Sequence, residues 1–290
     1  MERHAAVWEF TDDRGHVAAA ADVPLRVVAY IQAGATLWDH GIRPEGIFGS
    51  FHDDAGADPA KAGALPLDEV RYLGAGAGLG LEAVLAAAPD LVVAVTYGGG
   101  QVYGVDPEVA KHLEEHVPVV AIDVGQGRSL GAVRERFAEL ARSLGARGGG
   151  GGLGELECTA RELGQAARER PGRVLALSPG GPDSVHLARP ARWPDLSALT
   201  ALGVRTVEPP EGPGANWNTA GWAEAAALAP DIVLVDSRVN AAPPEQYAAD
   251  PHWRSVAAGA RLLPWNPELP ASESAHARFF DQVAQALRDG

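Results

Sequence analysis

Residues 96–104, TYGGGQVYG, hold the side chains best suited to contact a ligand. Gly98, Gly99 and Gly100 let a backbone come close to a bound molecule, while Tyr97, Gln101 and Tyr103 supply rings and hydrogen-bonding groups. The alternative is an ordinary glycine-rich turn with surface tyrosines. A second group lies in 178–193, SPGGPDSVHLARPARW, with His186, Arg189, Arg192 and Trp193. A planar guanidinium there can pair with a carboxylate or an anionic metal complex, though a solvated helix start accounts for arginine equally well. The third is 212–222, GPGANWNTAGW, in which Asn216, Trp217 and Asn218 stand on a Gly/Pro-flexed loop. Trp217 is the strongest single candidate, because a tryptophan among Asn and Gly has little local core to join. Tyr30, Gln32 and Arg238 follow apolar runs that read as strands. Trp38 reads as core and His52 as a solvated loop residue, and Glu273 and His276 are weaker candidates.

Other patterns formally match catalytic or metal motifs and are set aside. GRSLG (127–131) fits a nucleophile elbow, with Asp236 and His276 in hydrolase order, but Ser129 stands five residues past the strand ending at Val124. That is too far for a sharp strand-to-helix turn, and Ser129 reads as a helix N-cap. GAGAGLG (74–80) lacks the G-x-G-x-x-G spacing of a dinucleotide site. His112 and His116 are spaced i, i+4, yet KHLEEH suits a solvated helix face better. No catalytic residue and no metal site is expected. The single cysteine, Cys158, excludes an intramolecular disulfide and reads as a small buried side chain. A net charge of −14 argues against nucleic acid and anionic membranes as partners. No apolar run is long enough to span a bilayer.

The elements that must position these residues come in two similar sets. LEAVLAAAPDLVVAV (81–95) and WAEAAALAPDIVLVD (222–236) each give an Ala-rich helix, a Pro-Asp pair and an apolar run. Pro ends the helix, and the residue before it is pushed toward extended geometry. The unalternating β-branched runs suit parallel strands buried on both faces. RVVAYIQAGATLWDHGIRPEGIFG (26–49) aligns with 173–210 in the same manner, at nearly the same offset, so each half reads β-α-β-α-β. Strands are expected at 26–31, 46–49, 90–95 and 117–124, then at 173–178, 205–209, 231–236 and 261–265. A hairpin at 7–18 precedes them. Helices at 130–144 and from 155 to about 170 flank a glycine run, Gly148–Gly152, read as a flexible break. The expected organisation is an N-terminal α/β lobe (1–128), a helical linker (129–172) and a C-terminal α/β lobe (173–290). Ligands of such sheets bind beyond the carboxyl ends of the strands.

These phrases, with FTDDRG and PHWRSVAAGARLLPW, resemble the helical-backbone class of substrate-binding proteins that serve ABC importers of ferric siderophores, haem and cobalamin. The resemblance implies two Rossmann-like lobes with parallel sheets, an interlobe helix and a ligand cleft between the lobes. It implies no catalysis and no cofactor beyond iron carried within a chelate, most readily a ferric siderophore. The binding set carried forward is Tyr30, Gln32, Tyr97, Gln101, Tyr103, Arg192, Trp193, Trp217 and Arg238. The resemblance also implies a monomer that docks a permease through one Glu per lobe. That position is Glu82 in the first half; in the second the same spacing gives Ala223, with Glu224 displaced by one residue, ~100° around a helix. Relatives act outside the cytoplasm, whereas the polar start MERHAAVWEFTDDRG offers neither an apolar export stretch nor a lipid-bearing cysteine, which as written implies a cytoplasmic location. Two alternatives stay open: a cytoplasmic relative that binds or modifies a metabolite, and a divalent-metal binding protein.

Overall fold

A computed structural model of the chain describes residues 8–53, 56–125, 127–146 and 154–290. The glycine run Gly148–Gly152 and the first residue of the expected hairpin, Val7, lie outside the described residues. The chain divides into two compact units, Met1–Gly151 with Glu268–Ser272, and Gly152–Pro267 with Glu273–Gly290.

The first unit opens with the expected hairpin, β1 (Trp8–Thr11) antiparallel to β2 (Val17–Ala20). The carboxylate of Asp12 accepts from the backbone N–H of Arg14 and His16, closing the turn. Its parallel sheet comprises β3 (Val27–Tyr30), β4 (Pro44–Gly49), β5 (Arg71–Ala75), β6 (Leu91–Thr96) and β7 (Val119–Asp123), in the order β5-β4-β3-β6-β7. β5 was not foreseen, since its RYLGA runs into a glycine-rich segment that weakens any strand pattern. The hairpin caps the edge strand β7. Ala121 N–H donates to Asp12, Asp13 N–H donates to the Ala121 carbonyl, and Asp123 N–H donates to Asp13. An edge that would otherwise expose unpaired backbone groups is thereby covered. Helices α1 (Ile31–Asp39), α2 (Pro59–Ala62), α3 (Leu81–Leu85), α4 (Pro107–His116) and α5 (Leu130–Ser143) complete the unit. Ser129 caps α5, its Oγ accepting from Ala132 N–H at 3.2 Å, which is the role read from sequence.

The second unit contains α6 (Glu155–Glu169), β8 (Arg173–Pro179), β9 (Val185–Ala188), α7 (Pro194–Ala201), β10 (Arg205–Thr206), β11 (Trp217–Ala220) and α8 (Trp222–Ala227). It continues through β12 (Ile232–Asp236), α9 (Pro244–Tyr247), α10 (Pro251–Gly259), β13 (Arg261–Trp265) and α11 (Glu273–Asp289). The order is β11-β9-β8-β12-β13, with β10 pairing the start of β8. Here the expectation of a wholly parallel sheet fails. β9 runs antiparallel to β8, and β11 antiparallel to β9. The PGGPDS segment read as loop is a tight reversal in which Gly180 N–H donates to the Ser184 carbonyl at 3.0 Å. β9 thus takes the place beside the carboxyl half of β8. The strand expected at 205–209 shrinks to two residues, because Pro209 and Pro210 have no N–H for a ladder.

The two Pro-Asp phrases do the same work in both units. Asp90 N–H donates to the Arg26 carbonyl and the Asp90 carboxylate accepts from Arg26 N–H; Asp231 N–H donates to the Arg173 carbonyl and its carboxylate accepts from Arg173 N–H. Each aspartate therefore pins the start of its unit's first sheet strand. The residue before each proline is not extended as expected. Ala88 and Ala229 have φ of 48° and 45°, the left-handed conformation by which a helix end usually turns into a strand, normally through glycine.

Cys158 is exposed rather than buried. α6 buries Leu156, Leu163, Ala166 and Ala167, and Cys158 lies off that stripe. Among the described residues no helix is long and apolar enough to cross a membrane.

Candidate functional site

The strand order of the first unit reverses between β3 and β6, so their carboxyl ends mark the crevice where open parallel sheets bind ligands. Tyr30 ends β3 and caps α1, and it is wholly buried. Tyr97 directly follows β6. Tyr103 stands edge-on to both, with ring centroids 5.6 Å from Tyr30 and 4.8 Å from Tyr97. Beneath the rings lies a charged cluster. The Lys61 ammonium is 2.6 Å from Asp53 Oδ1, 2.8 Å from Glu268 Oε2 and 3.3 Å from the Tyr30 hydroxyl. The Tyr30 hydroxyl donates to Glu268 Oε1, and the Tyr97 hydroxyl reaches the same oxygen at 3.4 Å. Burial, with the Glu268 carboxylate beside it, pushes the Tyr30 phenol well above its ordinary pKa.

Glu268 reaches this unit from the far end of the sequence. Its segment is fastened by Gln32 Nε2 donating to the Leu269 carbonyl at 3.1 Å, Ala271 N–H donating to Thr36 Oγ1 at 2.9 Å, and Ser272 Oγ donating to Asp39. Gln32 is therefore buried in the first turn of α1. Gln101 is exposed on a tip where Gly98, Gly99 and Gly100 all have positive φ, and Gly125 packs so closely on the Tyr97 backbone that a Cβ would lie 2.6 Å from it.

Sequence reasoning missed Lys61, Asp53 and Glu268. One signal was present: Lys61 and Lys111 are the only lysines in an arginine-rich chain. Phe51, exposed in the loop after β4, was also missed.

In the second unit, strand alternation places Ser178, His186, Trp217, Asp236 and Trp265 on one face of the sheet. Leu175, Leu177, Leu187 and Val233 occupy the other, where a core forms with Trp222, Tyr247 and Trp253. Trp217 is half-buried, 5.1 Å from the Trp193 ring centroid and 5.9 Å from that of Trp265. Contrary to expectation, then, Trp217 opens a strand and joins an aromatic cluster, and Trp193 is a buried N-cap of α7 rather than a loop residue. Trp265 Nε1 donates to Asp195 Oδ2 at 2.7 Å. Burial pushes that carboxyl up to about 6, opposed in part by the indole bond. His186 Nδ1 lies 2.9 Å from Thr219 Oγ1.

Arg189 and Arg238 are committed to partners within their own unit. Arg189 donates to the carbonyls of Pro210, Gly212 and Gly214 and so staples the loop before β11. Arg238 lies along the Asp236 carboxylate, Nη2 to Oδ2 at 2.8 Å. Arg192 is exposed.

Glu273 Oε1 accepts from Gly154 N–H, and His276 is buried in α11. His52, His112 and His116 are exposed, and Trp38 packs half-buried against the core. Glu82 is exposed as the second residue of α3. Its counterpart in α8 is Ala223, while Glu224, the third residue, accepts from Gly221 N–H at 2.8 Å and caps the helix. Among the described residues no group of three His, Cys, Asp or Glu side chains is arranged to hold a metal.

Residues 52–261 match the family described as periplasmic binding protein. The chain belongs to that family. Among curated proteins none matches. The chain is similar to the solved structure of DesE, a ferric-siderophore receptor protein from Streptomyces coelicolor, at 29% identity over 97% of this chain and 98% of that one, with a TM-score of 0.86. Fold alone is shared with the heme-binding protein HmuT (17% identity, 99% and 92% covered, TM-score 0.69). The same holds for the siderophore periplasmic binding protein from the fuscachelin gene cluster of Thermobifida fusca (17%, 92% and 97%, TM-score 0.63). The family is one of substrate-binding proteins rather than enzymes, and its members work with ABC permeases.

Proposed function

We propose that this chain is a substrate-binding protein for a bulky ferric chelate, a siderophore, which it delivers to an ABC importer. The observation that carries the reading is the clustering of Tyr97, Tyr103 and Tyr30 at the strand-order reversal of the first unit. The half-exposed Trp217 over Trp193 and Trp265 in the second unit agrees with it, as does the full-length likeness to DesE. Large rings held by packing contribute contact area without much loss of side-chain freedom on binding. Tyr97, Gln101, Tyr103 and Trp217 are the contact residues in this reading. Tyr30, Trp193 and Arg238 act behind them, and Arg192 stands at the margin. Glu82 is the permease contact of the first unit; the second has Ala223 at the matching helical position, so docking there is weaker or uses other groups. Differential scanning fluorimetry and tryptophan quenching against ferric trihydroxamates, a ferric tricatecholate, haem and a corrinoid test the reading. One ferric chelate should raise Tm and quench fluorescence saturably; silence across the panel would refute it.

A further inference from the structure

We infer that Phe51 is a ligand contact of the first unit and takes an uncharged hydrocarbon part of the ligand, an inference that rests on the binding role proposed above. Every Phe, Trp and Tyr of the chain falls among the described residues, and Phe51 alone is exposed, at 53%. A single exposed apolar residue is ordinary on a protein surface. What sets Phe51 apart is where it stands and how firmly it is held.

It stands on the first unit's carboxyl edge. Phe51 follows β4, which lies beside β3, and β3 lies beside β6. A strand spacing of about 4.8 Å puts the ends of β4 and β6 about 10 Å apart, within the span of one bulky chelate. The loops after these two strands also touch. A Cβ on Gly104, the residue after Tyr103, would lie 3.1 Å from Ser50 Cα and from the Gly49 carbonyl oxygen.

The ring is held from both sides. Ser50 N–H donates to Asp53 Oδ2 at 2.6 Å, His52 N–H to Ser50 Oγ at 3.3 Å and Asp53 N–H to the Ser50 carbonyl at 3.2 Å. Residues 50–53 thus form a closed turn, and Lys61 fixes its last member, with Nζ 2.6 Å from Asp53 Oδ1. From the loop after β5, Gly76 approaches in the left-handed conformation, with φ of 49°. A Cβ there would lie 2.9 Å from both Phe51 Cα and its ring carbon Cδ1, so any side chain at 76 would displace the ring. A ring placed before the ligand arrives contributes contact area at little cost in ordering.

Its surroundings name the chemistry. Segments 49–52 and 74–80 contain no Lys, Arg, Asp or Glu, and in GAGAG (74–78) no side chain exceeds a methyl group. The ring therefore borders a Gly/Ala surface without charged side chains, a place for hydrocarbon rather than for a charged group.

The test is isothermal titration of the full chain and of Phe51→Ala with two ferric linear trihydroxamates of equal length. One has pentamethylene linkers; in the other, ether oxygens interrupt those linkers. The substitution should weaken binding of the first about 10-fold and of the second at most about 3-fold, with the unliganded Tm within about 2 °C of the parent because the side chain is exposed. Equal weakening of both, or of neither, would overturn the inference and leave the binding role standing. If the parent binds a ferric tricatecholate or haem instead, Phe51→Ala should weaken that complex about 10-fold, and an unchanged affinity would overturn the inference equally. No binding of any of these four by the parent would remove the binding role, and the inference with it.

Discussion

The two units share one plan and finish it with different chemistry. Each pins its first sheet strand through the aspartate of a Pro-Asp phrase, after an alanine in left-handed conformation. At the carboxyl edge they diverge. The first unit sets phenols edge-on to one another over a buried lysine and two carboxylates, one of them brought in by the segment Glu268–Ser272. The second sets three indoles against one another and anchors the innermost on a single buried carboxyl. The shared frame therefore fixes where the carboxyl edge of each sheet forms, and the residues set along that edge, on strands and helices as well as loops, decide whether charge or aromatic area dominates it.

The contrast can be broken most forcefully at Lys61. Lys61→Met leaves two buried carboxylates without their cation, and chemical denaturation should show a loss of about 3–5 kcal/mol. A change below 1 kcal/mol would mean the cluster is not held by charge. In the second unit the matching charge is Asp195, whose carboxyl is raised to about 6 when folded. A raised folded value makes its contribution fully present below the ordinary carboxylate range and lost as pH climbs through about 6. Stability should thus fall by about 2–3 kcal/mol between pH 4 and 7 from this group, and Asp195→Asn should flatten that part of the profile. Trp217→Ala separates recognition from folding: chelate affinity should drop by about 30-fold or more, with the Asp195–Trp265 anchor intact by near-ultraviolet circular dichroism. The shared frame gives the smallest effect. Ala88→Gly and Ala229→Gly relieve left-handed strain and should each stabilise by about 0.5–1 kcal/mol; a gain in one unit and a loss in the other would show that the two phrases are not equivalent.

The frame was legible because its signals are local. Proline after an Ala-rich helix, then a β-branched run, reads the same wherever it occurs, and Ser129 announced its cap by position. Tyr97, Tyr103 and Trp217 stood out as rings in glycine-rich segments. What escaped is what depends on distant partners. Lys61 and Glu268 meet across most of the chain, and nothing near either residue marks it as buried. β9 and β11 are short and flanked by Gly and Pro; β9 forms by hairpin closure on β8 and β11 by pairing with β9 from far along the chain, neither through periodicity. Arg189 read as a ligand-pairing or solvated arginine because most of its partners are backbone carbonyls, which carry no sequence signature.

The most direct test of the account is a calorimetric titration of the full chain with a ferric trihydroxamate, run in parallel on Tyr97→Phe and Trp217→Ala. The account predicts one saturable site per chain with Kd of about 1 μM or tighter, weakened by both substitutions and more by loss of the indole. Saturable binding that neither substitution alters would contradict it.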